Sequence, residues 1–262
     1  MANERNPLSD ADRPEALAQR VYRRHTGALA GLGLADTFDY IWRNNVWGAE
    51  ESRSGLGSGL DGTARLRDAI PALLRELGAT SLLDLPCGDF GWMSRVDLEG
   101  ISYTGGDIVA DLVAKNIVRY GETGRRRFLR LDLTRDPLPK ADVVLCRDCL
   151  VHLSAESITA AFANLRRSGS TWLVHLSAES ITAAFANLRR SGSTWLLTTT
   201  FLELQGNRVI ADGDWRPLNL QRPPFGLPAP HRVIVEGCTE EGGAYRDKAL
   251  GLWRIAELPD LA

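Results

Sequence analysis

No apolar run in this 262-residue sequence approaches the length of a membrane span, and the polar start Met1-Ala-Asn-Glu-Arg5 lacks the apolar core of a secretory signal. A cytoplasmic location with no membrane partner is expected. Charge of neither sign dominates: 31 Lys and Arg against 33 Asp and Glu leave a net charge of -2, which gives no general pull toward nucleic acid or an anionic surface. The basic run Arg125-Arg-Arg127 leads into a strand-like segment and reads as a solvated edge. Cysteine is scarce, and four residues dispersed at 87, 146, 149 and 238 do not make a disulfide framework in a chain this long. Cys146-x-x-Cys149 has no second ligand pair, so no metal site is expected. The chain has no G-x-x-x-x-G-K-[ST], and the turn at Pro86–Phe90 lacks the G-x-G-x-x-G of dinucleotide folds, so neither a nucleoside triphosphate nor a nicotinamide dinucleotide is favoured.

What is present is a buried strand with a turn at its end. In Ser81-Leu-Leu-Asp-Leu-Pro-Cys-Gly-Asp-Phe90, Leu82, Leu83 and Leu85 form the apolar run of a parallel strand covered on both faces. Gly88 lets backbone approach a ligand at the strand's carboxyl end. A second run, Ile101 to Val109, places Asp107 about twenty residues beyond that glycine, where an acid accepts from ribose hydroxyls. An adenosine without a polyphosphate fits these features. With 44% hydrophobic residues the chain has the apolar content for a single α/β core.

Asp84-x-Pro-x-Gly88 resembles the degenerate first motif of the class I S-adenosylmethionine-dependent methyltransferases. The likeness continues in order through Asp107, through Asp132 after Arg127-Phe-Leu-Arg-Leu131, and through the fourth strand-like run from Asp142. The resemblance implies an α/β fold, a doubly wound, mostly parallel sheet closed by a C-terminal antiparallel hairpin, and S-adenosylmethionine as cofactor. It also implies roles. Asp84 and Gly88, with Cys87 in the same turn, would hold the amino acid part of the cofactor. Asp107, followed by Ile108, would bind the ribose, and Asp132 and Leu133 would flank the adenine. Cys146 and Arg147 would border the methionine moiety. Pro86 and Cys87 stand where the family has a more glycine-rich turn, and proline donates no backbone hydrogen bond there.

Residues 151–173, VHLSAESITAAFANLRRSGSTWL, recur without a difference as 174–196. Divergence erases such identity, so the duplication is recent, engineered or an error in the recorded sequence. Two copies fall short of a solenoid. Each copy offers a helix, capped by Ser154 or Ser177, and then the start of a fifth strand, at Thr171 or at Thr194. The sheet has one slot for this unit. Ordering a surplus copy costs about as much as its apolar side chains return, so extrusion is expected, and its spare amphipathic helix favours a homo-oligomer.

The flanks frame the cofactor region. Residues 1–78 read as a flap followed by a helix over Thr63–Leu77, and 79–262 as the core. Asn44 to Gly59 is rich in glycine and serine around Trp47, and Gln205 to His231 forms a long loop carrying Trp215, Arg216 and Asn219. Trp47, Trp215, Arg216 and Asn219 are the candidate substrate contacts, with packing on the core the alternative for each. His231–Glu236 and Leu250–Ile255 read as the terminal hairpin. At the fourth strand's exit, Asp148 and His152 are candidates for orienting the acceptor and removing its proton, with His175 as the repeat's counterpart of His152. The absence of [DN]-P-P-[YFW] there disfavours nucleobase or peptide-amide nitrogen. The expected activity is methyl transfer to oxygen or nitrogen of a small molecule. The rivals are a noncatalytic cofactor-binding or self-associating protein whose site the duplication has altered, and a nucleotide-dependent oxidoreductase.

Overall fold

The structure, a computed structural model, describes residues 13–47, 50–167 and 193–259. Seven strands form one sheet in the order β3-β2-β1-β4-β5-β7-β6. They are β1 (Ser81–Asp84), β2 (Ser102–Asp107), β3 (Arg126–Arg130), β4 (Val143–Cys146), β5 (Trp195–Phe201), β6 (Arg232–Val235) and β7 (Lys248–Arg254). The first five run parallel, and β7 pairs antiparallel with both β5 and β6. The expected doubly wound, mostly parallel sheet with an antiparallel C-terminal part is what the chain forms.

Alternation along the strands divides the core in two. On one side Leu83, Val144, Leu196 and Trp253, neighbours across four strands, pack with Ile158 and Ala161. On the other, Leu82, Val143, Leu145, Leu197 and Leu252 pack beneath Leu66, Ile70, Leu73 and Leu74. Fully burying each of these aliphatic side chains is worth about 1.5–3 kcal/mol. The helices that supply the covering residues follow the chain. After α1 (Leu17–Tyr22), α2 (Thr26–Leu29) and α3 (Leu34–Arg43) come α4 (Ala64–Glu76), α5 (Ala110–Tyr120) and α6 (Ala155–Arg167). The expected helix over Thr63–Leu77 is thus α4, packed on the sheet. None of the described helices is long and apolar enough to cross a membrane.

Copy one of the repeat supplies α6, and copy two supplies the start of β5. The Ser154 hydroxyl accepts from the Ser157 N–H at 3.1 Å, an N-cap that starts α6 where the sequence pattern places it. Asn164 donates to the carbonyls of Leu133 and Asp136, pinning the loop after β3. β4 and β5 are directly hydrogen-bonded, Val143 opposite Trp195. The expectations of an extruded copy and of self-association through its helix concern residues 168–192 and lie outside the described residues, as does His175.

The fourth strand is shorter than its sequence suggests. β4 ends at Cys146, and a 3-10 turn at Leu150–His152 follows. Asp148 stands between them with φ +48°, the left-handed region that Asp tolerates better than most residues. Its N–H donates to Thr199 Oγ1 at 2.9 Å, which holds the turn against β5.

Candidate functional site

Strand order reverses between β1 and β4, and a doubly wound sheet opens a crevice at the carboxyl ends of its strands beside such a switch. A cleft of about 1010 Å³, its open mouth included, lies there. Asp84, Gly88, Asp107 and Asp132 line it together, one group from the end of each of three neighbouring strands plus the turn after β1. Cys87, Ile108, Leu133, Arg147, Asp148, His152 and Trp47 line it as well.

Each acid is held by its local chain. Asp84 ends β1, buried, and accepts from the Tyr103 hydroxyl at 2.7 Å. Burial pushes its carboxyl up to about 7 against the opposing pull of the Tyr103 bond. Gly88 follows with φ +53°, and its N–H donates to Asp107 at 3.1 Å. A Cβ at Gly88 would stand 2.6 Å from Ser54 Oγ, so the turn has no room for a side chain. The other oxygen of Asp107 accepts from the Val109 N–H at 3.0 Å, and burial still raises this carboxyl to about 6. Asp132 Oδ1 accepts from both the N–H and the hydroxyl of Thr134, at 2.8 and 2.6 Å. Two desolvated carboxyls with raised pKa values thus face one cleft, where a ligand bringing hydrogen-bond donors or positive charge offsets their lost hydration.

Beyond β4 lies a closed net of charge. Arg147 bonds Glu236 at 2.7 Å, the Gly57 carbonyl at 2.8 Å and Asp148 at 3.2 Å, and Lys248 bonds Asp148 at 2.7 Å and approaches Glu236 at 3.5 Å. Burial alone would raise the Asp148 carboxyl, yet Arg147 and Lys248 win and hold it well below the ordinary carboxylate range. His152 Nδ1 lies 2.9 Å from the Asp214 carbonyl. A carbonyl only accepts, so Nδ1 carries the proton and the neutral ring keeps its lone pair on Nε2. Burial lowers this imidazole to about 4. The Trp47 ring packs on it, centroids 4.5 Å apart. The Trp47 indole N–H, Arg147 Nε and Glu236 Oε1 are buried without a hydrogen-bond partner among the described residues.

A second chamber of about 560 Å³, mouth included, adjoins the first, and Trp47, Ser54, Asp148 and His152 belong to the walls of both. Phe201, Trp215, Tyr245, Lys248 and Glu240 are among its other walls. Trp215 therefore reaches a cavity wall, as its packing on Tyr245 at 5.0 Å allows. Arg216 and Asn219 do not reach either lining. Arg216 is buried against the Leu150 and Val151 carbonyls, and Asn219 donates to the Leu204 carbonyl, so both hold the long loop onto the core. Cys146 also stays behind the wall, fully buried in the core at the end of β4.

Several residues in or beside the two cavities were not singled out from the sequence. Lys248 opens the apolar run of β7, and Glu236 follows β6; a lone charge beside a buried run was the available signal for both. Ser54 and Asp214 carry no comparable mark, since they act through the backbone of a loop or through its close approach.

No protein-family model matches the chain, and no curated protein matches it in sequence. Among solved structures, it is similar to the 1,6-didemethyltoxoflavin-N1-methyltransferase of Burkholderia thailandensis, solved with 1,6-didemethyltoxoflavin and S-adenosylhomocysteine. The two share 18% identity at a TM-score of 0.50 over 95% of this chain and 93% of that one. It is also similar to PigF with SAH, at 13% identity and TM-score 0.53 over 90% and 68%. Against the methyltransferase domain of a bacterial CtHen1 the identity is 13% and the TM-score 0.40, and the chain spans 66% of that domain's length. Identities this low establish a shared fold, that of class I S-adenosylmethionine-dependent methyltransferases.

Proposed function

We propose that this protein is an S-adenosylmethionine-dependent methyltransferase acting on an oxygen or nitrogen of a small molecule in the cytoplasm. The observation that carries the reading is the shared rim: Asp84, Asp107 and Asp132, each at or just past the carboxyl end of its strand, line one cleft around the side-chain-free turn at Gly88. An adenosyl sulfonium fits that set of acceptors. Its ribose diol would donate to Asp107, its adenine amine to Asp132, and its ammonium and sulfonium charge would lie toward Asp84, whose carboxyl is raised for want of such a partner. When bound, the cofactor supplies an electrophilic methyl group on sulfur.

The chain's own residues then have two tasks. Trp47 and the walls of the second chamber would orient the acceptor, and positioning supplies much of the acceleration for an in-line displacement. His152 Nε2 would take the proton from the acceptor atom as that atom's own lone pair is committed to the methyl group. Attack places positive charge on the acceptor atom and makes its proton strongly acidic. A base lowered to about 4 suffices for that proton, and it stays neutral and ready throughout the physiological range. Asp214 fixes the tautomer through its carbonyl, and Asp148, pinned by Lys248, would keep a negative charge beside the imidazolium as it forms.

Calorimetric titration with S-adenosylhomocysteine and with a nicotinamide dinucleotide tests the assignment. Micromolar binding of the first and none of the second is expected. The reverse result selects the oxidoreductase and removes this proposal.

A further inference from the structure

The charge around the second chamber does not balance, and the imbalance points to what the chamber takes. Arg147 and Lys248 together match Asp148 and Glu236, within the contacts of 2.7 to 3.5 Å already described. Arg13, on the far side of Phe201 and Tyr245, is matched by Asp247 in a bidentate pair at 2.7 and 2.9 Å. His152 is neutral, and the Cys238 thiol, which burial pushes up to about 11, is neutral too. Glu240 is left over. It lines the chamber from the short turn at Glu240–Gly243, half-buried, and forms no ion pair or side-chain hydrogen bond among the described residues. Burial raises its carboxyl, and the pull of Lys248 and Arg147, which are bonded to other carboxylates, does not offset that loss of water.

Around that acid the wall is aromatic. Trp47, Phe201, Trp215 and Tyr245 all border the same space, the last three at mutual centroid distances of 5.0 to 6.1 Å and steep angles. Rings set edge to face present π surfaces in more than one direction, and such surfaces attract both planar ligands and cations. An anionic ligand would face Glu240, and the nearby cations Arg147 and Lys248 are each already engaged by two carboxylates. A neutral apolar ligand would leave Glu240 buried and unpaired, at a cost that a cation removes.

We infer that the second chamber binds a planar aromatic molecule bearing a protonated amine, the ring between the aromatic walls and the ammonium at Glu240. On the methyltransferase reading this molecule is the methyl acceptor, and the ammonium is its anchor. An ammonium has no lone pair to attack with, so the methylated atom is a different one, a ring hydroxyl or ring nitrogen presented to His152 at the boundary of the two cavities. Glu240 is then the residue that selects among aromatic acceptors by charge.

Three phenols of similar size separate the ideas: tyramine, cationic; 4-ethylphenol, neutral; and 3-(4-hydroxyphenyl)propanoate, anionic. Their affinities for the full chain, read by tryptophan fluorescence with and without saturating S-adenosylhomocysteine, are expected to fall in that order, tyramine binding at least about tenfold tighter than 4-ethylphenol. Glu240→Gln should erase that preference while leaving the affinity for 4-ethylphenol within twofold, which shows the chamber intact. Glu240→Lys should turn the preference toward the anion. Equal binding of all three, preference for the anion in the unmodified chain, no binding of any at millimolar concentration, or a cation preference surviving Glu240→Gln would each overturn the inference. S-Adenosylhomocysteine binding is titrated separately. Failure there with tyramine preference intact removes the methyltransferase reading and leaves the chamber's selectivity standing; the opposite pattern does the reverse.

Discussion

Replacing Asp84 by Asn should make the ligand-free protein more stable at alkaline pH and a poorer binder. In the fold this carboxyl is buried at the end of β1 and raised to about 7, against an ordinary value of 3.8. A group whose pKa is raised by folding favours the fold fully below its unfolded value and loses that contribution as pH climbs through the folded one. The ionised carboxylate thus costs the free protein about 4 kcal/mol near pH 8, at 1.36 kcal/mol per factor of ten in proton affinity, and nothing below about pH 4. Asn keeps the shape and still accepts from the Tyr103 hydroxyl, but it carries no charge to desolvate. Thermal unfolding followed by circular dichroism should place Asp84→Asn roughly 10 °C above the unmodified chain near pH 8, and level with it near pH 4. In the same preparation S-adenosylhomocysteine should bind about tenfold more weakly or worse, from loss of a charged contact worth about 1.5–3 kcal/mol. A variant that is destabilised to the same degree at both pH values, or that binds unchanged, refutes the argument that this acid is held desolvated for a ligand.

Asp107→Ala removes the acceptor at the end of β2 and should weaken S-adenosylhomocysteine by about tenfold in calorimetry through the lost ribose bonds; unchanged affinity would remove Asp107 from the cofactor site. His152→Ala should lower kcat by about 100-fold or more while His175→Ala leaves it unaltered, because copy one supplies the histidine packed on Trp47. In the unmodified protein the acid limb of kcat/KM for the proposed reaction should fall near pH 4 instead of 6.5, since burial depresses the imidazole; a limb at 6.5 would argue against His152 as the base. Deleting 174–196 joins Leu173 to Leu197 and regenerates the same Ser-Thr-Trp-Leu-Leu sequence at the entry to β5, so secondary structure and cofactor affinity should be preserved. Collapse of the fold on that deletion would show the second copy to be structural.

Much of this architecture was legible because it is written in short-range patterns. Leu82-Leu83 and Val143 to Leu145 are apolar runs too continuous for a half-exposed strand, and they became the buried parallel centre of the sheet. The turn at Gly88 was legible for a related reason. A glycine following a strand and preceding an acid marks backbone that must come close to something, and here both the +53° φ and the Ser54 contact require it. Asp84, Asp107 and Asp132 could be aligned by their place at strand ends, with no knowledge of how the strands lie side by side.

The second chamber was not legible in the same way, because its walls come from six separated parts of the chain. Trp47, Phe201, Trp215, Glu240 and Lys248 meet only through the antiparallel return of β7 beside β5, and nothing local distinguishes a tryptophan that lines a cavity from one that fills a core. Arg216 and Asn219 make the point from the other side. They sit in the same polar, aromatic loop as Trp215 and have the right chemistry for substrate recognition, yet both spend their donors on backbone carbonyls that anchor the loop. A long loop buried against a core must satisfy its own polar groups first, so polar side chains within it are as often structural as functional.

The two cavities are joined by one device, and its construction explains why the fold retains so many buried charges. Arg147 lies at the exit of β4 yet bonds Gly57 of the segment before α4 and Glu236 beyond β6, while Lys248 at the start of β7 bonds Asp148 after β4. A Cβ at Gly57 would stand 2.9 Å from Asp148 and 3.0 Å from Lys248, so this backbone lies directly on the net. A buried ion cluster is a poor way to stabilise a protein, since desolvation consumes most of the Coulomb gain and well-packed apolar side chains of the same volume would do as well. It does fix geometry. Directional bonds from two cations to three segments set where the loop carrying Ser54, Asp148 and the C-terminal hairpin stand relative to one another, and those segments form the boundary where Trp47 and His152 border both chambers. An apolar plug in the same place would supply no such directional bonds between the loop and the sheet. The Arg147–Asp148–Lys248–Glu236 net therefore gives up stability for register between the two chambers, and on the proposed function the raised carboxyls of Asp84 and Asp107 give it up for cofactor binding.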